Sequence, residues 1–176
     1  MRKDRGFSLI ELLAVVGLLM VIMAIAAPVY QNVVDGMRLG WSARDLERQL
    51  QDARLKAVST NRRMRVRTNC PVVGQFRTVQ WLNSASDAGT DRCSEASYPY
   101  PSNTLNVVTK LQDGPVMRLQ PTVTVATVNL EFWPNGTAHN PGESNPLPAS
   151  VTVTLTKSTK TKGISVNGLG KIQLLP

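Results

Sequence analysis

The stretch GFSLIELLAVVGLLMVIMAIAAPVY, residues 6–30, decides the fold. From Phe7 to Ala27 it holds 21 mostly apolar positions. A helix rising ~1.5 Å per residue over that length spans ~31 Å, enough to cross a bilayer core. Arg2, Lys3 and Arg5 precede the run and no base interrupts it. The positive-inside rule then leaves residues 1–6 in the cytoplasm and sends the rest of the chain across the membrane. One residue resists this picture. Glu11 is a lone acid near the start of the run, and a carboxylate in hydrocarbon costs a few kcal/mol.

Three readings compete. A cleaved secretory signal accounts for the basic start, the apolar middle and the A-x-A-like Ala24-Ile25-Ala26, but gives Glu11 no purpose. A plain membrane anchor has the same gap. The third reading uses every odd feature. Cleavage after Gly6 creates a new amino terminus at Phe7, and Glu11 becomes the fifth residue of the mature chain, one helical turn away. In a packed assembly of helices, that carboxylate meets the terminal ammonium of a neighbouring subunit. Each charge neutralises the other where either alone is costly.

These residues resemble the class III leader and N-terminal helix of type IV pilins and type II secretion pseudopilins. The resemblance implies that a prepilin peptidase cuts between Gly6 and Phe7 and N-methylates Phe7. It implies that Glu11 guides assembly and that Pro28 takes the place of the family's helix-bending proline. Physical chemistry agrees on the last point: Pro28 lacks an N–H and crowds the preceding turn, so a kink or local break is expected there. Beyond it the pattern turns amphipathic. Val29, Val33 and Met37 recur at three-to-four spacing, as do Leu46, Leu50, Ala53 and Ala57, with charged residues on the other faces. The helix is expected to end near Thr60–Asn61.

After Asn61 the periodicity becomes that of strands. In RRMRVRT, Met64 and Val66 alternate with Arg63, Arg65 and Arg67. FRTVQWL, LNVVTKL, VMRL, TVTVATVNLEFW, SVTVTLTK, GISV and KIQLL are further strand candidates, rich in Thr and Val and separated by Gly/Pro/Asn breaks. Phe76 and Trp81 are expected as core anchors. Residues 83–103 and 137–149 have the composition of surface loops. Cys70 and Cys93 are the two cysteines. In an exported domain they are expected to form a disulfide, closing a loop of roughly 24 residues worth ~3 kcal/mol in the chain-entropy model. Two unrelated buried thiols are the alternative.

The segments LEFWPNGTA, SVTVTL and GISVNGLGKIQLLP, in that order, resemble the GspH/FimT branch of the pilin-like proteins. That resemblance implies a minor subunit. In FimT-like members a terminal G-R-x-R motif binds DNA; the matching positions here are Gly170, Lys171, Ile172 and Gln173, so the first Arg is Lys and the second is Gln. Lys keeps a point charge but loses the planar fork. Arg63, Arg65, Arg67 and Lys171 are therefore the candidate DNA contacts, weighed against a solvated basic strand edge that discourages edge-to-edge pairing. The net charge of +8 fits either case; taking the three cations and one acid of residues 1–6 from 20 and 12 still leaves +6.

Catalytic patterns are missing from the sequence. His139 is the single histidine and sits in a Gly/Pro/Asn-rich stretch, where a solvated loop side chain is expected. No P-loop, G-x-G-x-x-G or H-E-x-x-H occurs. With one His and no Cys/His cluster, no metal and no cofactor is expected. The expectation is an α+β, type IV pilin-like protein that is not an enzyme. Residues 1–6 form a leader, 7–27 a transmembrane and filament-core helix, 28–61 its amphipathic half and 62–176 a β-rich globular domain. Its expected partners are other pilins or pseudopilins through the N-terminal helix, prepilin peptidase, the inner-membrane assembly platform and membrane lipid before assembly. DNA is the alternative partner. The expected location is the inner membrane with a periplasmic domain, then a pilus or pseudopilus.

Overall fold

The computed structural model describes residues 8–81, 91–93, 100 and 112–175. Two compact units divide the chain at Met37/Arg38. A single helix, α1 (Leu9–Thr60), supplies the described part of the first unit and the start of the second.

Ser8 caps α1. Its carbonyl accepts the N–H groups of Glu11 and Leu12, and its hydroxyl accepts that of Glu11 at 3.3 Å. Ser8 and Glu11 therefore stand at capping-box spacing, with the acid in the first turn where the helix dipole favours it. Of the kink or local break expected at Pro28, the break is not seen; α1 runs continuously through it. Intrahelical bonds on either side carry the helix across one missing N–H donor. Among the described residues of the first unit nearly all apolar side chains are exposed, Val29, Val33 and Met37 included, and Val34 is half-buried. Those three thus lie outside the core that their spacing suggested. An apolar 18-residue window with mean hydropathy 2.8 makes α1 long and apolar enough to cross a membrane.

In the second unit α1 becomes a core helix. Leu39, Ala43, Leu46, Leu50, Ala53 and Ala57 are buried in one stripe at three- and four-residue spacing. The three alanines let the sheet approach the helix closely. Buried Ser42 keeps its hydroxyl satisfied by accepting the Gln120 N–H at 3.0 Å. The C-terminus is closed by Asn61 in the left-handed region, φ 53°, and by Arg62 N–H donating to Ala57 C=O. This six-to-one bond is a Schellman ending, for which Asn substitutes for Gly at low cost.

Two antiparallel sheets share one apolar core with this stripe. The first has the order β3 (Val116–Arg118), β2 (Gln75–Gln80), β1 (Met64–Thr68), β5 (Asn129–Phe132), β6 (Ala138–His139). The second has the order β4 (Thr124–Val125), β7 (Val151–Lys157), β8 (Lys160–Val166), β9 (Ile172–Leu174). Met64, Val66, Phe76, Leu130 and Phe132 fill the core from the first sheet, and Val153, Leu155, Ile164 and Val166 from the second. TVTVATVNLEFW does not form one strand. It crosses between sheets as β4 and β5, with the Thr68 hydroxyl donating to the Ala126 carbonyl and accepting the Val128 N–H in the gap. LNVVTKL and most of the loop 83–103 lie outside the described residues. The loop 137–149 holds β6 and the buried Leu147, whose N–H donates to Ala138 C=O at 2.9 Å.

Candidate functional site

Gly6 and Phe7 lie outside the described residues. Glu11 projects from the first turn of α1 into an exposed, otherwise apolar surface, and its carboxylate has no side-chain partner among the described residues. Pro28 sits in the same exposed segment.

The arginine face has a different character from a free cationic edge. β1 is paired on both sides, to β2 and to β5, and so lies inside its sheet. The edge-strand expectation fails because β5, though far away in sequence, returns against β1. Arg65 donates to Glu131 at 3.0 Å, and Arg63 lies 3.8 Å from the same carboxylate. The Glu131 side chain is fully buried and also accepts the Trp133 indole N–H at 2.9 Å. The Arg63 guanidinium stacks 4.4 Å from the Trp81 ring centre and 3.6 Å from that of Trp133. Trp81 is thus half-buried and serves this stack more than the core. Two of the three candidate arginines share one buried carboxylate, leaving that cluster a single net positive charge, and the third, Arg67, is half-buried opposite Arg77 and Asn129. Arginines held in this way contribute less to counterion release on a polyanion than free ones would.

His139 corrects a second expectation. It is 1 % exposed, pairs with Glu131 across β5–β6 and stacks on Trp133 at 4.3 Å between ring centres. Its Nε2 lies 2.6 Å from Thr137 Oγ1, and that hydroxyl donates its only hydrogen to Asn135 Oδ1. The imidazole Nε2 is therefore the donor, and Nδ1 is buried with no hydrogen-bond partner among the described residues. Composition suggested a solvated loop because the pairing that buries His139 comes from a two-residue strand.

Cys70 and Cys93 form a disulfide, Cα–Cα 5.0 Å. The bond holds the short helical turn Asp91–Cys93 against β2. There the buried Arg92 pairs with Asp113 and donates to the Gln80 carbonyl. Its own carbonyl accepts from Arg77 at 2.7 Å, and Asp113 accepts the Gln80 N–H at 2.8 Å.

A third constellation escaped sequence reasoning. Arg54, on the flank of the buried helix stripe, donates Nε–H to Gly136 C=O at 3.0 Å and Nη2–H to Leu169 C=O at 3.4 Å. It clasps two turns, Trp133–Gly136 and Asn167–Gly170, taken from motifs that are far apart in the chain. Gly170 has φ +73°, and a Cβ there would fall 2.1 Å from Gly136 O and 2.7 Å from Arg54 Nε. Only glycine fits a left-handed position packed on another backbone. Lys171 follows directly, exposed immediately before β9. The signal was present in the paired PNG and GLG turns, but nothing local assigns them a common partner.

A long apolar stem and a domain of two antiparallel sheets around the stem's second half make this a type IV pilin-like fold. A crystal structure of the type IV minor pilin FimU from Pseudomonas aeruginosa matches with TM-score 0.50 at 21 % identity, over 78 % of this chain and 88 % of that one. A second crystal form of FimU gives TM-score 0.48 at 21 % identity, over 78 % and 93 %. The minor pseudopilin EpsH of the Vibrio cholerae type 2 secretion system gives TM-score 0.48 at 12 % identity, over 78 % and 96 %. No curated protein matches the chain. Residues 1–27 match the prokaryotic N-terminal methylation motif. Residues 42–170 match the type II transport protein GspH model, and the chain belongs to that family.

Proposed function

We infer that this protein is a non-catalytic minor subunit of a type IV pilus or a type II secretion pseudopilus. Prepilin peptidase removes residues 1–6 and methylates the new amino group of Phe7. The α1 stem holds the precursor in the inner membrane with its β-rich unit in the periplasm. The assembly platform then extracts it into a filament, where it sits near the tip and contributes to assembly. The observation that carries this reading is Glu11: a lone carboxylate without a side-chain partner among the described residues, on an exposed apolar helix surface inside a methylation motif. In a filament its partner is the Phe7 amine of an adjacent subunit.

Mass spectrometry of the mature chain is expected to find N-methylated Phe7. An amino terminus at Ala27 would restore the ordinary signal-peptide reading. Glu11→Ala is expected to be processed normally but to enter filaments poorly, measured by immunoblot of sheared filaments against total cell protein. Normal incorporation would remove the role given to the carboxylate. The DNA-binding alternative has weaker support, because Arg65 is bonded to Glu131, Arg63 lies beside the same carboxylate between two tryptophans, and of the four candidates only Lys171 is exposed.

A further inference from the structure

We propose that the groove between α1 and β9 is a docking site for an extended acidic segment of a partner protein, added as a strand to the open edge of the second sheet. β9 ends the strand order β4-β7-β8-β9, so one of its edges has no partner among the described strands. The phase of the ladder says which groups are open. Leu175 N–H donates to Gly163 C=O, and Lys171 C=O accepts from Asn167 N–H, so residues 171, 173 and 175 face β8. In an antiparallel ladder the alternate residues, Ile172 and Leu174, then point their N–H and C=O away from it. An edge of this kind accepts main-chain hydrogen bonds from an added strand.

Ile172 also lines an open groove of ≈ 510 Å³ with Arg54, Leu55, Val58 and Lys171. Leu55 and Val58 are 65 % and 51 % exposed, one turn apart on the helix wall. Apolar side chains at alternate positions of an extended chain would cover them. The charge of the groove selects the remaining positions. Its residues include two cations and no acid, and the Lys171 ammonium has no partner among the described residues. Arg54 spends Nε and Nη2 on the two turns, which fixes its guanidinium at the groove floor. A segment alternating apolar and acidic residues satisfies the edge, the apolar wall and the cations together. Nucleic acid would satisfy only the cations.

The test uses the full-length protein in detergent micelles and two fluorescent peptides, one alternating valine with glutamate and one alternating valine with lysine. The glutamate peptide is expected to bind about tenfold more tightly, an advantage that falls as salt rises. Lys171→Glu and Leu55→Asp, both at exposed positions, are each expected to weaken it about tenfold. Arg44→Glu, an exposed charge-matched control outside the groove, is expected to leave it nearly unchanged. On binding, amide exchange should slow at Ile172 and Leu174 and stay constant at Gln173. Equal affinity for the two peptides, or indifference to Leu55→Asp, would overturn the proposal. So would a single-stranded oligonucleotide that depends on Lys171 but not on Leu55, or self-association abolished by Leu55→Asp. Processing at Gly6 and filament incorporation are measured separately, so failure here leaves the filament role standing.

Discussion

Three glycines with the same backbone conformation offer a graded test of the Arg54 clasp. Gly142, Gly136 and Gly170 have φ of +80°, +83° and +73°. Alanine at each pays the same left-handed penalty, about 1–2 kcal/mol. What differs is the space for a Cβ. Gly142 has nothing within 4 Å; at Gly136 the nearest atom is Arg54 Nη2 at 3.4 Å. At Gly170 the Cβ would meet backbone, Gly136 O at 2.1 Å, and would also displace Arg54 Nε. Forcing such an overlap costs about 1–3 kcal/mol, and losing the Arg54 hydrogen bond costs about 1 kcal/mol. Gly142→Ala is therefore expected to destabilise by about 1.5 kcal/mol, Gly136→Ala by about 2 kcal/mol and Gly170→Ala by about 4 kcal/mol. For a unit of this size each kcal/mol lowers the melting temperature by about 4 °C. The assay is thermal melting of the micelle-embedded protein, followed by near-ultraviolet circular dichroism of its tryptophans. If Gly170→Ala melts within about 3 °C of Gly142→Ala, the close packing of the two turns on Arg54 is not what fixes that glycine.

Other consequences follow from charge and covalent linkage. Glu131→Gln leaves the largely buried Arg65 without its counter-charge and is expected to cost about 3 kcal/mol, read as a fall in the urea midpoint with an unchanged slope; a loss below about 1 kcal/mol would mean that water reaches the pair. The disulfide spans 23 residues, so the Cys70→Ser/Cys93→Ser double variant is expected to lose about 3 kcal/mol by the same urea titration. Unchanged stability in that variant would mean that the reduced turn is already held by the Arg92–Asp113 pair.

What the sequence disclosed and what it withheld follows from the range of the interactions. α1 was legible because its determinants are local: a long apolar run, then Leu46, Leu50, Ala53 and Ala57 at helical spacing, then an Asn ending. β1, β7 and β8 were legible for the same reason, through alternation. The split of TVTVATVNLEFW was not, because a continuous Thr/Val alternation is interrupted by distant residues. Thr68 bonds Ala126 and Val128, and Asn69 Nδ2–H donates to Val125 C=O at 3.1 Å. The arginine face misled for a related reason. Alternation placed Arg63, Arg65 and Arg67 on one side of a strand, but Glu131, which bonds Arg65 and lies beside Arg63, arrives from more than sixty positions later by way of β5. His139 and Arg54 likewise depend on partners that only the folded topology supplies. The assembly residues Gly6, Phe7 and Glu11 form the opposite case: their meaning was carried by a contiguous motif, and the structure places only Glu11 among them.

The clasp on Arg54 also has a mechanical meaning. Buried contacts from Leu39 to Ala57 are spread along about 27 Å of helix, so an axial pull on α1 loads them side by side in shear. Arg54 adds an anchor between the helix and two turns, one joined to each sheet. Tension along the stem would therefore be shared between both sheets at once, and the domain would yield as a whole instead of peeling strand by strand.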